Sequence, residues 1–217
     1  MSQLTPSSLL RAYAAGIFPM AESAEDQALY WVDPEHRGVL PLDHFHLPRR
    51  LKRTVRNGPF EVRCDTCFTS VVEACAEARP ERPKTWINAE IVRLYGALHR
   101  MGYAHSVEVM QDGELAGGLY GVVLGAAFFG ESMFSHVTDA SKVALAHLVA
   151  RLRLGRFELL DTQFMTNHLI QFGGIEISRA AYHRQLDRAL GGRGYFPGEP
   201  LDGETVVSLL QSSTPTS

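Results

Sequence analysis

The chain has little of what marks a secreted or membrane-bound protein. Only three of its 217 residues are cysteine, a small and odd number that favours a reducing cytosol over a disulfide framework. No run approaches the ~18 apolar residues of a membrane span, and the first residues lack the basic and apolar segments of a signal peptide. The formal net charge of −3 gives no overall positive field that would point to nucleic acid. These absences predict a cytoplasmic globular protein without a membrane partner.

The sequence also lacks the groupings that hold a metal or a cofactor. Cys64 and Cys67 have the CxxC spacing, but only Cys75 remains and a zinc site needs a second pair. The nine histidines show no HExxH pattern. We interpret the cysteines as small buried apolar residues and expect neither metal nor cofactor.

Periodicity and turn signals from Phe60 onward predict the order β-α-α-β-β-β-α-β-α. Asp112-Gly113 is a strong hairpin signal between two strands, and residues 138–154 form the longest predicted helix. This order predicts an α/β (α+β) fold, with a mixed sheet and helices on both faces, and matches the GNAT acyltransferase fold. We expect a small N-terminal domain over residues 1–35 and a GNAT-like domain over residues 36–217. Its residues 191–217, rich in Gly, Pro, Ser and Thr, are expected to form a loosely ordered tail.

Two segments carry candidate chemistry. Residues 159–164 alternate as a strand does, so Asp161 and Gln163 are expected on one face and Leu160 and Thr162 on the other. Glu131 is a single carboxylate within the apolar run of residues 128–135, and such surroundings shift pKa values. The alternative is a capping glutamate and an aspartate on an edge strand.

The GNAT-type order implies coenzyme A, but the segment that would bind it does not fit. Users of acyl-CoA hold the pyrophosphate on a glycine-rich loop that enters a helix. Here residues 134–142 enter the long helix without a glycine, and Asp139 would repel a pyrophosphate. The donor is therefore expected to be something other than acyl-CoA.

A basic stripe is predicted on one short helix. Arg49, Lys52, Arg53 and Arg56 lie at i, i+3, i+4 and i+7, so they share one helix face. Such a stripe fits contacts with the phosphates of a nucleic acid. A solvated helix face is the alternative.

Seven motifs together resemble the leucyl/phenylalanyl-tRNA–protein transferase family. They are Ala12-Tyr-Ala-Ala-Gly-Ile-Phe-Pro19, Thr85-Trp-Ile87, His105-Ser-Val-Glu108, Gly117-Gly-Leu-Tyr-Gly121, Gly130-Glu-Ser-Met-Phe-Ser135, Ala140-Ser-Lys142 and Leu160-Asp-Thr-Gln163. The resemblance runs from about Leu9 to Leu190. It implies that the protein transfers an amino acid from aminoacyl-tRNA to proteins that begin with Arg or Lys. The transferred residue would be Leu, also Phe, with Met as a third candidate. That transfer marks the acceptor proteins for degradation by the N-end rule.

The resemblance also implies roles for single residues. The carbonyl oxygen of Gln163 would accept a hydrogen bond from the acceptor amine, and Asp161 would polarise the site and take up charge. Glu131 would hold the amine or the cationic side chain of the acceptor's first residue. The donor side chain would occupy an apolar slot lined by Leu119, Phe128 and Leu148.

Contacts with the terminal adenosine of the donor are less well matched. Five large side chains lie near predicted turns: Tyr13, Phe18, Met20, Trp31 and Trp86. Most are expected in the core or at a domain contact, and one or two could stack on a base; Tyr13, Met20 and Trp86 are the candidates for substrate binding. The family has a tryptophan at the position of Met20, and usually more residues before that motif. A monomer is expected. The alternatives are a non-catalytic tRNA-binding module, or a GNAT-type N-acyltransferase with another donor or acceptor.

Overall fold

The computed structural model describes residues 4–21, 29–78 and 85–212. In these residues strands β1 to β9 span, in chain order, Phe18–Met20, Tyr30–Val32, His36–Val39, Glu61–Cys64, Ala104–Gln111, Glu114–Leu124, Ala127–Ser135, Leu159–Gln163 and Ile175–Ser178. Helices α1 to α8 span Pro6–Ala14, Arg49–Asn57, Phe68–Ala76, Ala89–Arg100, Ala140–Leu154, Asn167–Ile170, Arg179–Gly191 and Gly203–Gln211.

Within the described residues, seven strands form one mixed sheet in the order β4-β5-β6-β7-β8-β3-β9, and β1 pairs with β2 in a separate ribbon. Only β7 and β8 pair in parallel; the other neighbours in the sheet are antiparallel. One apolar cluster fills the face covered by α2, α5 and α8, and a second fills the face covered by α1, α3, α4 and α7. The predicted mixed sheet with helices on both faces is confirmed.

The parallel pair is the feature of the sheet that makes room for a site. β7 and β8 are paired only from Ala127–Leu159 to Phe129–Asp161. Beyond that point β7 continues to Ser135, while β8 ends at Gln163. The two strands therefore diverge, and no strand of the described ranges pairs with the backbone that faces the gap.

Local structure follows the sequence most closely at turns and helix ends. Asp112 and Gly113 both have positive φ, 53° and 85°, as a two-residue hairpin of the I′ type requires. Thr5 caps α1 and accepts a hydrogen bond from the Ser8 amide. The long helix α5 ends at Leu154 as predicted, with Gly155 as its C-cap.

The expectation of a loosely ordered tail is wrong for residues 203–211. Asp202 caps α8 by accepting a hydrogen bond from the Thr205 amide at 2.7 Å, and Val206 and Val207 are fully buried in the cluster below α5. The preceding segment is held by Arg151, whose Nη1 donates to the carbonyls of Pro197 and Glu199 at 2.7 Å each. The tail is rich in small and polar residues, so its overall composition gave no indication of this short amphipathic helix.

No helix within the described ranges has both the length and the apolarity to cross a membrane. The three cysteines are free, and Cys64 and Cys75 are buried as expected.

Candidate active site

A cavity of about 570 Å³ opens where β7 and β8 diverge. Its wall is mainly apolar, with Leu119 from β6, Leu148 from α5 and Leu160 from β8. Glu131, Thr162 and Gln163 supply polar groups at the gap between the strands. An apolar cavity with a few convergent polar groups is the usual form of a ligand site.

A β-bulge directs Glu131 into this gap. Gly121 pairs with Gly130 and Tyr120 with Ser132, so Glu131 is the extra residue of β7. Bulges of this kind often re-aim a side chain beside an active site. The carboxylate accepts hydrogen bonds from Tyr13 at 2.7 Å and from Tyr95 at 2.8 Å.

Burial has the largest effect on the pKa of Glu131 and raises it to about 7. The hydrogen bonds from Tyr13 and Tyr95 and the charge of Arg37 act against this rise, while the charge of Asp161 adds to it. The carboxyl group therefore changes its protonation state near neutral pH, where a group that moves protons is most effective.

Asp161 lies behind the cavity and is completely buried. Its Oδ1 accepts hydrogen bonds from Arg37 Nε at 3.0 Å and from the Gln163 amide at 2.8 Å. Its Oδ2 accepts from Arg37 Nη2 at 2.7 Å and from the Tyr182 hydroxyl at 2.8 Å. The guanidinium of Arg37 lies 4.4 Å from the ring centroids of both Phe18 and Tyr182.

A second bulge, in β8, sets the direction of Gln163. Gly38 of β3 pairs with Gln163 and Val39 with Asp161, which leaves Thr162 as the extra residue. Gln163 has the unusual φ of 57°, and the bond from its amide to Asp161 supports this conformation. A Cβ at Gly38 would lie 2.8–2.9 Å from the Phe164–Met165 backbone and Thr162 Oγ1, so this close approach requires glycine.

The alternation predicted for β8 is therefore only partly correct. Thr162 and Gln163 both line the cavity, whereas Asp161 does not. Because of the bulge, two successive side chains reach the same space. Gln163 Nε2 lies 3.4 Å from Glu131 Oε1, so the carboxamide oxygen is left for another partner.

Other predicted substrate residues divide between cavity and core. Leu119, Leu148, Met20 and Trp86 line the cavity with Glu131 and Gln163. Phe128 does not line the cavity, so the prediction that it lines the donor slot is wrong. It is fully buried, and its ring centroid lies 6.4 Å from that of Phe157 and 6.0 Å from that of Phe196. Tyr13 is also fully buried and contacts Glu131 instead of the open space.

Sequence reasoning missed Arg37, Tyr95 and Tyr182. Arg37 occupies a four-residue strand with no periodicity to set it apart, and only the fold brings it to Asp161. Tyr95 has the helical spacing of a core residue and is one, since its ring packs into the core and its hydroxyl alone reaches Glu131. No signal in the sequence separates these residues from ordinary core positions.

The basic stripe on α2 is confirmed as a helix, but its cations divide into two groups. Lys52 donates a hydrogen bond to Gln211, and Arg56 forms an ion pair with Glu204 at 2.6 Å, both toward α8. Arg49 and Arg53 are exposed, and the described residues offer them no ion pair. Within the described residues, Arg49 and Arg53 are therefore the two exposed cations of the stripe whose charge is not paired.

Replacing Glu131 by glutamine is expected to stabilise the protein at pH 8 and not at pH 5. A carboxyl whose pKa rises from 4.5 to about 7 on folding makes the folded state bind protons more tightly than the unfolded chain. Wild-type stability therefore falls as the pH rises across that window. Since one pKa unit corresponds to ~1.4 kcal/mol, the Glu131→Gln variant should gain up to about 3 kcal/mol above pH 7. Urea denaturation at both pH values measures this; a gain that is equal at both would contradict the assignment of the raised pKa.

Comparison with known proteins gives two family matches. Residues 39–187 match the family described as leucyl/phenylalanyl-tRNA protein transferase, and residues 2–35 match the N-terminal domain of the same family.

Individual relatives are similar over nearly the whole chain. A leucyl/phenylalanyl-tRNA–protein transferase of Paramagnetospirillum magneticum is 63% identical over 196 residues, which cover 90% of this chain and 94% of the relative. A protein with the same name from Caulobacter vibrioides is 60% identical, and the match covers 96% of this chain and 95% of the relative. Another, from Nitrobacter winogradskyi, is 61% identical, and the match covers 93% of this chain and 89% of the relative.

Proposed function

Because the chain belongs to the leucyl/phenylalanyl-tRNA protein transferase family, we propose that it transfers an amino acid from aminoacyl-tRNA to the α-amino group of acceptor proteins. Leu is the principal donor residue, with Phe and Met as further donors. The acceptors begin with Arg or Lys, and the added residue marks them for degradation by the N-end rule.

One observation carries this proposal: a mainly apolar cavity ends in a carboxylate and a carboxamide at the point where two parallel strands separate. The apolar part, with Leu119 and Leu148, suits a Leu or Phe side chain. The polar end, with Glu131 and Gln163, suits an amine. An ester and an amine bound side by side are thereby brought to reacting distance, and positioning of this kind can supply several kcal/mol of a barrier.

The chemistry needs no activation step. An aminoacyl ester is already an activated acyl donor, so the acceptor amine has only to lose a proton and attack the carbonyl carbon. Gln163, with Nε2 toward Glu131, can present its carboxamide oxygen to that amine. Negative charge on Glu131 favours an acceptor with a cationic side chain.

The acceptor preference is tested with peptides that begin with Arg, Lys, Asp or Ala and share all other residues. Purified protein is mixed with [14C]Leu-tRNA and each peptide in turn. We expect labelled product with the Arg and Lys peptides only. Labelling confined to the Asp peptide would show a different acceptor class, and binding of tRNA without any product would favour a non-catalytic module.

Arg49 and Arg53 are proposed to contact the backbone of the tRNA. The double variant Arg49→Ala/Arg53→Ala is expected to weaken binding of different tRNAs alike, because phosphate contacts carry no sequence information. Each lost contact should flatten the dependence of log K on log salt by roughly 0.7–0.9. Fluorescence titrations at several salt concentrations measure the slope.

The matched control is Arg56→Ala, because Arg56 lies on the same helix and is paired with Glu204. We expect a smaller change in salt slope for this control than for the double variant. An unchanged slope in the double variant would identify the stripe as a solvated helix face.

We also propose a GNAT-like catalytic domain from residue 36 and a small N-terminal domain over residues 1–35. The family matches, which meet between residues 35 and 39, support that division. A cytoplasmic monomer that needs no cofactor is the remaining part of the proposal.

A further inference from the structure

The proposed transfer requires a group that takes a proton from the acceptor's α-ammonium, and Asp161 is unsuited to that task. Both of its oxygens accept two hydrogen bonds each, from Arg37, Tyr182 and the Gln163 amide. The side chain is completely buried and does not line the cavity. Gln163 reaches the cavity, but a carboxamide does not ionise near neutral pH and so cannot keep the proton.

Glu131 is the carboxylate that does line the cavity. The bulge in β7 places it there, and its Oε1 lies 3.4 Å from Gln163 Nε2. An amine that donates a hydrogen bond to the Gln163 carbonyl oxygen would therefore lie close to Glu131.

The hydrogen bonds of Glu131 leave room for one more proton. The hydroxyl oxygens of Tyr13 and Tyr95 lie 2.5 Å apart, and each also lies within 2.8 Å of a Glu131 oxygen. Three oxygen–oxygen contacts need three protons, but an ionised glutamate and two tyrosines supply only two. A protonated Glu131 supplies the third, because Glu131 then donates to one tyrosine, which donates to the other, which donates back to Glu131.

We propose that Glu131 is the catalytic proton acceptor and that Tyr13 and Tyr95 are positioning residues that hold its carboxyl group in both protonation states. This inference rests on the proposed function. In the ionised state both hydroxyls donate to the carboxylate; in the protonated state the three groups form a closed ring.

One N–H bond of the ammonium breaks and an O–H bond forms on Glu131. The nitrogen lone pair forms the C–N bond to the ester carbonyl carbon, and the C–O bond to the ribose breaks. Of the three ammonium protons, one stays on the amide, one passes to the ribosyl oxygen, and one leaves through Glu131 to water.

The groups that face Glu131 determine how its titration responds to substitution. Tyr13 reaches it from α1, Tyr95 from α4, Arg37 from β3 and Asp161 from β8, and Tyr120 of β6 packs against Tyr95 with ring centroids 5.5 Å apart. The pKa of Glu131, about 7, rises with burial and is lowered by both tyrosines. Hydrogen bonds to a carboxylate are stronger than those to a neutral acid, so loss of a hydroxyl should raise the pKa further.

The test is the pH dependence of single-turnover transfer from [14C]Leu-tRNA to a saturating Arg-started peptide. For the wild type we expect an inflection near pH 7. Glu131→Gln should lower the rate by roughly 10²-fold or more and remove this inflection, with tRNA affinity unchanged. Tyr95→Phe and Tyr13→Phe should keep measurable activity and shift the inflection to higher pH. Glu176→Gln, an exposed carboxylate on β9, is the matched control and should behave as wild type.

Two results would overturn the inference while the proposed function stands. The first is a Glu131→Gln variant with the wild-type rate and inflection. The second is a rate loss that disappears at saturating peptide, since that would mean Glu131 only binds the acceptor's cation. If the variant does not fold, the tyrosine variants decide: an unmoved inflection in both overturns the inference. Absence of product from the wild type would instead refute the proposed function.

Discussion

Replacing Arg37 by methionine is expected to lower the free energy of unfolding by about 3–5 kcal/mol, because it leaves the fully buried Asp161 carboxylate without its counter-ion. Transfer should also fall, on the order of 10²-fold, since Asp161 holds the Gln163 amide and small displacements of catalytic groups have effects of that size. Urea denaturation and single-turnover rates measure the two quantities.

A second substitution tests the cause of that loss. In the double variant Arg37→Met/Asp161→Asn no charge is left unpaired, and the asparagine oxygen can still accept the Gln163 amide. We expect the double variant to recover at least half of the lost stability. If it is no more stable than Arg37→Met alone, the unpaired charge is not the cause. Arg179→Met is the matched control, because the Arg179–Asp33 pair is partly exposed and such pairs contribute ~0–1 kcal/mol.

Replacing Leu148 by phenylalanine should shift donor preference toward Leu and against Phe by roughly 10- to 200-fold, the range for a change of ~1–3 kcal/mol in an apolar pocket. Leu148 is buried and lines the cavity beside Leu119, so the added ring takes space from the larger donor side chain. Parallel transfer assays with Leu-tRNA and Phe-tRNA give the ratio of kcat/KM values.

The control for that prediction is Leu152→Phe, one turn further along α5. Leu152 is fully buried in the same apolar cluster but does not line the cavity. Both variants should lose about 1–3 kcal/mol of stability through overpacking, and only Leu148→Phe should change the donor ratio. An equal shift in both would mean that the cavity is not the donor slot.

Local signals in the sequence predicted most elements of the sheet and its helices. The Asp112-Gly113 turn, the Thr5 cap and the Gly155 helix end each depend on a residue type with a specific backbone preference. The short strands β1, β2 and β9 were missed, because three or four residues are too few for alternation to be visible. The tail helix α8 was missed because its stability comes from packing against α2 and α5.

The candidate site was predictable in composition but not in arrangement. The structure brings Glu131 and Gln163 within 3.4 Å of each other and places Leu119 and Leu148, but not Phe128, on the wall of one cavity; their roles stay predictions. The two bulges, at Glu131 and Thr162, depend on register between strands distant in sequence. Because of the bulge at Thr162, the Gln163 side chain lines the cavity while the Asp161 side chain is buried against Arg37. Periodicity within residues 159–164 could not indicate this difference.

The acyl donor proposed for this protein is an aminoacyl ester of tRNA, and its identity can be measured directly. Purified protein and an Arg-started peptide are incubated with [14C]Leu-tRNA alone, with leucine and ATP, or with acetyl-CoA, and the products are sequenced by tandem mass spectrometry. We expect one Leu on the α-amino group with Leu-tRNA alone, and no product in the other two mixtures. Acylation by acetyl-CoA together with no transfer from Leu-tRNA would contradict a tRNA ester as the donor.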